Sequence, residues 1–527
     1  MGDIGGASAR LVEAGRPLPD EAVADFLSRF PLGVCISAIG SGDLAGDDLE
    51  ILCKALEMVF ETGHGMSLLS ATPGYVAKAL TASHSAIRRL GARQIVRIMG
   101  VDLDAQTAQR LAEALLVAIQ DDDMEVASAS ALGFRELFSK WQSALFQSGS
   151  TSSQLREIVS SHSDVVRIRA LELVLMIAGQ SQEGQQVVDS AGFLDPLLAE
   201  LDHYDDPLSC LAAWSLFQEL AGNRQGAVVS PAFWSSVLQA IGPRFVRLLH
   251  DSRDTVLITG AIRVAGHVLG LAAEAGEALC SAFLQEAMTI LERDDSDVEL
   301  ASTVFDAIGQ LGVRRPGAEI VVANACGVLA LVLDTALSPR TPKQVRISAL
   351  HALATIVGAE RIKAGDQQET ALLSAECEQQ LEVSIHGAAA AIGRVASPGE
   401  VFWDLLQPPI VEVRLPLYRL LSSLAIREWC ASFICIHQPL LNHITTPGSE
   451  VEREACEWRH TCVTALVATA RRACAETMAT ENVNAVQQPS LVAALPLLEA
   501  ALVAGVFGSV AAERGMHETH LIATRSR

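Results

Sequence analysis

Basic residues are scarce in this chain: 39 Lys and Arg stand against 62 Asp and Glu, leaving a formal charge of −23. Binding to a phosphate backbone draws on basic surface that displaces counterions, so neither DNA nor RNA is expected as a principal partner. Aromatics are also few, at 5% of the residues, while half of the chain is apolar and Ala and Leu dominate it. That is the composition of a closely packed, helix-rich protein. Catalytic signatures are missing. There is no GxxxxGK[ST] phosphate loop, no GxGxxG after a strand, no GxSxG elbow and no HExxH, and His517-Glu518-Thr519-His520 is one residue too short to set both imidazoles on one helix face. No enzyme activity, cofactor or metal is therefore expected. A basic-then-apolar leader is absent as well, since Asp3 comes early, and secretion is not expected. The 11 cysteines are odd in number and scattered through apolar stretches such as Ile51-Leu52-Cys53. They read as reduced core thiols of a cytoplasmic protein, with the nucleus as a second compartment.

What the chain does have is a slow repeat. An Asp-containing turn, a branched apolar residue and an apolar helix recur roughly every forty residues, with anchors at Ile87, Val126, Val166, Leu208, Val256, Val298, Val345 and Val413. This period belongs to armadillo and HEAT arrays, whose two- or three-helix units bury their apolar faces only by stacking on neighbours. The expected fold is all-α, an armadillo/HEAT-type α-solenoid superhelix. A chain of 527 residues is also long for a single globular core, which favours an extended array. Capped solenoids leave no stacking face open, so a monomer is expected.

The unit is clearest in the middle. A capping Asp164 starts a helix through Val174, Gly179 to Gly184 break it, and a short helix from Ala191 to Leu201 follows with Pro196 in its first turn, where a missing N–H costs least. The acidic turns Asp121-Asp122-Asp123, Asp205-Asp206, Asp251 to Asp254 and Asp294-Asp295-Ser296-Asp297 lack the spacing and sharp Gly turn of a calcium loop and read as helix caps. Four segments follow: 1–45, a mobile start or capping helix with an amphipathic piece from Asp20 to Phe30; 46–475, the array; 476–512, C-terminal capping helices; and 513–527, a disordered tail. The long interval from Val345 to Val413 reads as a degenerate repeat plus a loop around 358–400.

Two apolar runs, 318–333 and 491–512, approach the ~20 residues of a membrane span. The first is short and the second is interrupted by Pro496 and Glu499. Both read as buried solenoid helices, and no membrane association is expected. Cys430, Cys435, His437, His443, Cys456, His460 and Cys462 crowd the C-terminal part, without the paired knuckles of a zinc site. They read as core thiols with surface imidazoles. Arg89, Arg93 and Arg97, four apart, form a basic stripe that either receives an acidic partner segment or a C-terminal carboxylate, or is a solvated face or makes salt bridges to a neighbouring repeat.

Several phrases in order resemble the 26S proteasome non-ATPase regulatory subunit 5 family: Gln94-Ile95-Val96-Arg97-Ile98 after Ser85; Val166-Arg167-Ile168-Arg169 with Glu172-Leu173; Val304 to Gly312 (VFDAIGQLG); and Leu424-Ala425 followed by Trp429 and Ala431. The resemblance covers roughly residues 50–475. It implies a non-catalytic chaperone for assembly of the proteasome regulatory-particle base, one that binds the C-terminal domain of an ATPase subunit on a concave repeat surface and leaves before the holoenzyme is complete. Geometry then selects partner-facing positions on the third helices of the units, Lys78, Glu200, His203 and Glu286, with the Arg89, Arg93 and Arg97 stripe beside them. The alternative is a generic armadillo adaptor or scaffold. An importin-like version of it needs a regular ladder of Trp and Asn, and the Trp residues at 141, 214, 234, 403, 429 and 458 show no such register.

Overall fold

The computed structural model describes residues 4–508 except 42–43, 45, 148, 162, 223–230, 253, 294–296, 364–371, 393–396, 409 and 480–488; the described residues form helices and turns with no strand. The expected tail 513–527 and the acids Asp294 and Asp295 lie outside the described residues. The chain divides into two compact units, Met1–Phe233 and Trp234–Arg527.

In the first unit the helices Gly46–Phe60, Ser85–Ile98, Met124–Trp141, Asp164–Gln180 and Pro207–Gly222 form a spine in which each packs on the next. A second layer, Gly74–Leu80, Ala105–Ile119 and Ser150–Val159, runs alongside. The second unit repeats the plan with a spine of Thr255–Ala272, Val298–Leu311, Lys343–Ile356, Val411–Leu424 and Arg453–Ala479. Each unit is thus an all-α solenoid, its core lying between spine and second layer. Before the first spine helix come Ile4–Glu13, Asp20–Arg29 and Leu32–Ser41. The first of these buries Ile4 and Leu11 on Gly46–Phe60, so this stretch is helical and partly packed.

The repeat anchors fall in or beside the first turns of the spine helices, but their rotation differs. Ile87, Val126, Val345 and Val413 are buried, whereas Leu208, Val256 and Val298 are exposed, Leu208 to 79%. In those three helices the core-facing residue comes one or two positions later: Cys210, Leu257 and Leu300. Caps behave as the acidic turns suggested. Asp123 accepts from Glu125 N, Asp206 from Ser209 N, Asp254 from Val256 N and Asp297 from Leu300 N. Asp164 is a correction: Ser163 holds the cap position, and Asp164 is the first helical residue, paired with Arg167 at 2.8 Å. The long interval also resolves differently. Lys343–Ile356 packs directly on Val411–Leu424, and the extra residues supply second-layer helices, Ala375–Ile392 and Pro398–Leu406. The apolar run 318–333 is two helices, Arg315–Ala323 and Val328–Leu337, bent by 92°. Thr255–Ala272 is long and apolar enough to cross a membrane by length and composition. Here it packs on Val298–Leu311 in the spine.

Successive spine helices are also joined by cations. A helix ends in carbonyls without intrahelical partners and in a negative dipole end. In the first unit Lys140 donates to Met99 O. In the second, Arg314 donates to Leu271 O at 3.1 Å, Arg361 to Gly312 O at 2.9 Å, Arg427 to Val357 O at 3.1 Å and Arg472 to Ile426 O at 2.8 Å. Each donor comes one repeat after its acceptor. Hydrogen bonds of this charged kind contribute ~1.5–3 kcal/mol where they are buried, as at Arg361 and Arg427, and they hold the repeats they join in register.

Candidate protein-docking surface

The Arg89 stripe lies on the Ser85–Ile98 spine helix, between two acidic neighbours. Arg93 reaches Glu57 at 2.7 Å on the preceding spine helix and clasps Glu125 on the following one at 2.6 and 3.2 Å. Arg89 pairs with Asp123 at 3.1 Å and Arg97 with Glu61 at 3.4 Å. The salt-bridge reading therefore describes all three arginines. Hydrogen bonds to Glu125 and then Glu57 raise the Arg93 guanidinium above its ordinary range, and the bond from Arg93 holds the Glu125 carboxyl below its own. The sequence shows Glu57 and Glu61 four apart, the spacing that matches Arg93 and Arg97. Their pairing across repeats went unread because spacing within one helix does not say which neighbour it faces. An open groove of about 710 Å³ runs beside the stripe, lined by Arg16, Asp47, Glu50, Lys54, Glu57 and Arg93 among others. Since Arg93 is 43% exposed, an Arg93→Ala variant is expected to lose about 1 kcal/mol in urea unfolding at low salt, and less at about 1 M salt. An unchanged midpoint at low salt would mean the pairs contribute nothing.

The other four positions separate by exposure. Lys78, on Gly74–Leu80, and His203, just after Asp195–Glu200, are exposed. Glu200 is only 7% exposed and is turned inward onto Arg167 Nε at 2.7 Å, with His203 Nδ1 at 3.8 Å. It secures Asp195–Glu200 to the spine helix Asp164–Gln180, which removes it from the exposed set. In the second unit, Glu286 on Glu277–Leu291 is largely buried and meets His250 Nε2 at 3.1 Å.

The C-terminal thiols are core residues. Burial pushes Cys430 and Cys435 up to about 12. Cys456 donates to Glu450 O and Cys462 to Tyr418 O. A buried thiol held protonated at neutral pH is a poor nucleophile. Among the described residues no group of three or more His, Cys, Asp or Glu could hold a metal ion. The same region contains a buried polar cluster that the sequence did not announce. Glu450, fully buried in a turn, accepts from Tyr418 Oη at 2.7 Å and pairs with Arg414 at 2.9 Å, while His443 Nε2 lies 2.8 Å from Tyr418 Oη.

These features define a helical-repeat protein in which a set of ion pairs joins neighbouring repeats. The chain belongs to the proteasome non-ATPase 26S subunit family, whose family model matches residues 46–484. No curated protein matches it. Among solved structures, an engineered protein is similar over 81% of this chain and 98% of its own, at 17% identity and a TM-score of 0.37. A designed armadillo repeat protein in complex with the peptide (KR)4 is similar over 52% of this chain and 98% of its own, at 16% identity and 0.36. Kap121p is similar over 92% of this chain and 50% of its own, at 14% identity and 0.45.

Proposed function

We propose that this protein is a non-catalytic chaperone for assembly of the 26S proteasome regulatory-particle base. It binds the C-terminal domain of an ATPase subunit on its repeat surface and leaves before the holoenzyme is complete. The observation that carries this reading is the family match across residues 46–484, which spans nearly all of the repeats. The physics agrees with it. A stacked scaffold presents a preformed surface, so a partner domain is held with little ordering cost. A charge of −23 keeps a free chaperone soluble and biases it towards basic surfaces. On this reading the exposed Lys78 and His203 mark contacting positions in the first unit, the Arg89, Arg93 and Arg97 zipper holds the neighbouring spine helices in register, and the protein acts in the cytoplasm as a monomer.

The test is purification of the tagged protein from its own cell extract, followed by binding to isolated C-terminal domains of the proteasomal ATPases. Stoichiometric recovery of base ATPases without the 20S core is expected. Recovery of intact proteasomes would make the protein a resident subunit, and recovery of neither would leave a helical-repeat adaptor for another cargo.

A further inference from the structure

The last described helix, Pro489–Ala504, is apolar on both sides. Leu491, Ala494, Leu498 and Ala501 are buried where the helix packs on Arg453–Ala479 and Glu428–Ile436. On the opposite side Val492, Pro496, Leu497, Ala500, Val503 and Ala504 are exposed, Val503 to 88%. At ~100° per residue they occupy one arc of roughly 140°. The single charged residue of the helix, Glu499, is held by Arg471 at 2.8 Å. A surface helix normally carries one apolar stripe. A helix apolar all round is the pattern of one enclosed within a stack.

We propose that this face is a docking surface for a single amphipathic helix of a partner protein, laid along Pro489–Ala504 as the helices of the unit lie along each other. The area selects this occupant. A helix of 16 residues is ~24 Å long and ~10 Å across, a footprint of roughly 240 Å². A stable dimer buries about 800 Å² per partner, so the face is too small for a second copy, and two chains of −23 repel each other. One helix of about four turns matches it. A lipid surface fits poorly, because interfacial helices flank their apolar face with Lys and Arg, which this helix lacks. The described chain ends on the packed side of the helix: Val506 O is held by the buried Arg459 at 2.8 Å, and Gly508 sits against Pro447.

The experiment titrates the full chain into a fluorescein-labelled helical peptide of about 18 residues with Leu and Ala on one side and Gln on the other. Saturable binding is expected, weakened at least tenfold by Leu497→Glu and separately by Val503→Glu, with helicity and melting unchanged because both side chains point outward. Absence of saturable binding, or equal binding by all three proteins, would overturn the proposal. So would a wild-type dimer that Leu497→Glu dissociates, which assigns the face to a second copy. Binding that rises tenfold when the chain ends at Gly508 would assign it to the chain's own tail, and Leu497-dependent binding to phosphatidylcholine vesicles would assign it to lipid.

Discussion

A Gly270→Val variant is expected to lose about 3 kcal/mol or more of stability, the upper range for overpacking a core, in urea unfolding followed by circular dichroism. The loss should appear as an early transition, because a solenoid repeat couples only to its neighbours. Gly270 lies where Thr255–Ala272 packs on Val298–Leu311. A Cβ there would stand 2.1 Å from Gln310 O and 2.9 Å from its carbonyl carbon. One turn earlier, a Cβ on Gly266 would stand 2.6 Å from Ala307 Cα, and on the next spine helix one on Gly309 would stand 2.7 Å from Ala352 Cα. All of these obstacles are backbone, so no rotamer change relieves them and the spine itself must separate. The control is Gly387, in Ala375–Ile392, where a Cβ meets nothing within 4 Å. Gly387→Ala should stabilise by ~0.5–1 kcal/mol through helix propensity alone. If Gly270→Val lost less than 1 kcal/mol, the close approach of these helices would be refuted.

The sequence carried the spine but not its rotation. Ile87, Val126, Val345 and Val413 each mark a buried first turn, because a branched apolar residue after a capped turn usually faces inward. At Val256-Leu257 two apolar residues compete, and a shift of one position turns a helix by ~100°. The exposed Val256 and Leu208 were therefore chosen over Leu257 and Cys210. The Arg89, Arg93 and Arg97 stripe was legible as a stripe, while its partners Glu57 and Glu61, at the same spacing, were not singled out. Joining them required knowing that Ser85–Ile98 packs on Gly46–Phe60. The cations that cap the preceding spine helix, Arg361 and Arg427 among them, leave no local signature, since each acts a whole repeat away from its carbonyl. Glu450 was invisible for a related reason: an acid in the charged run Glu450-Val451-Glu452-Arg453-Glu454 looks solvated until the fold closes over it.

That buried carboxylate gives the second large effect. Glu450→Ala should cost ~3–5 kcal/mol, the range for breaking a buried ion pair, because Arg414, Tyr418 Oη and His443 would lose the group they surround. Glu450→Gln keeps the shape, loses the charge and should cost ~1.5–3 kcal/mol. The pH dependence separates a charge effect from a packing effect. Burial pushes the Glu450 carboxyl up, but hydrogen bonds from His443 and Tyr418 and the charge of Arg414 together outweigh it and hold the carboxyl below its ordinary value. A carboxyl whose pKa is lower folded than unfolded contributes stability that is fully present above the unfolded value, about 4.3, and is lost as pH falls through the folded one. Wild type should thus lose this contribution on acidification from about pH 5 downward, while Glu450→Gln has none to lose. Urea midpoints of the two proteins should converge as the pH drops. If they instead stay the same distance apart between neutrality and acid, Glu450 acts by shape and not by charge, and the ion pair with Arg414 contributes nothing to the closure of the C-terminal repeats.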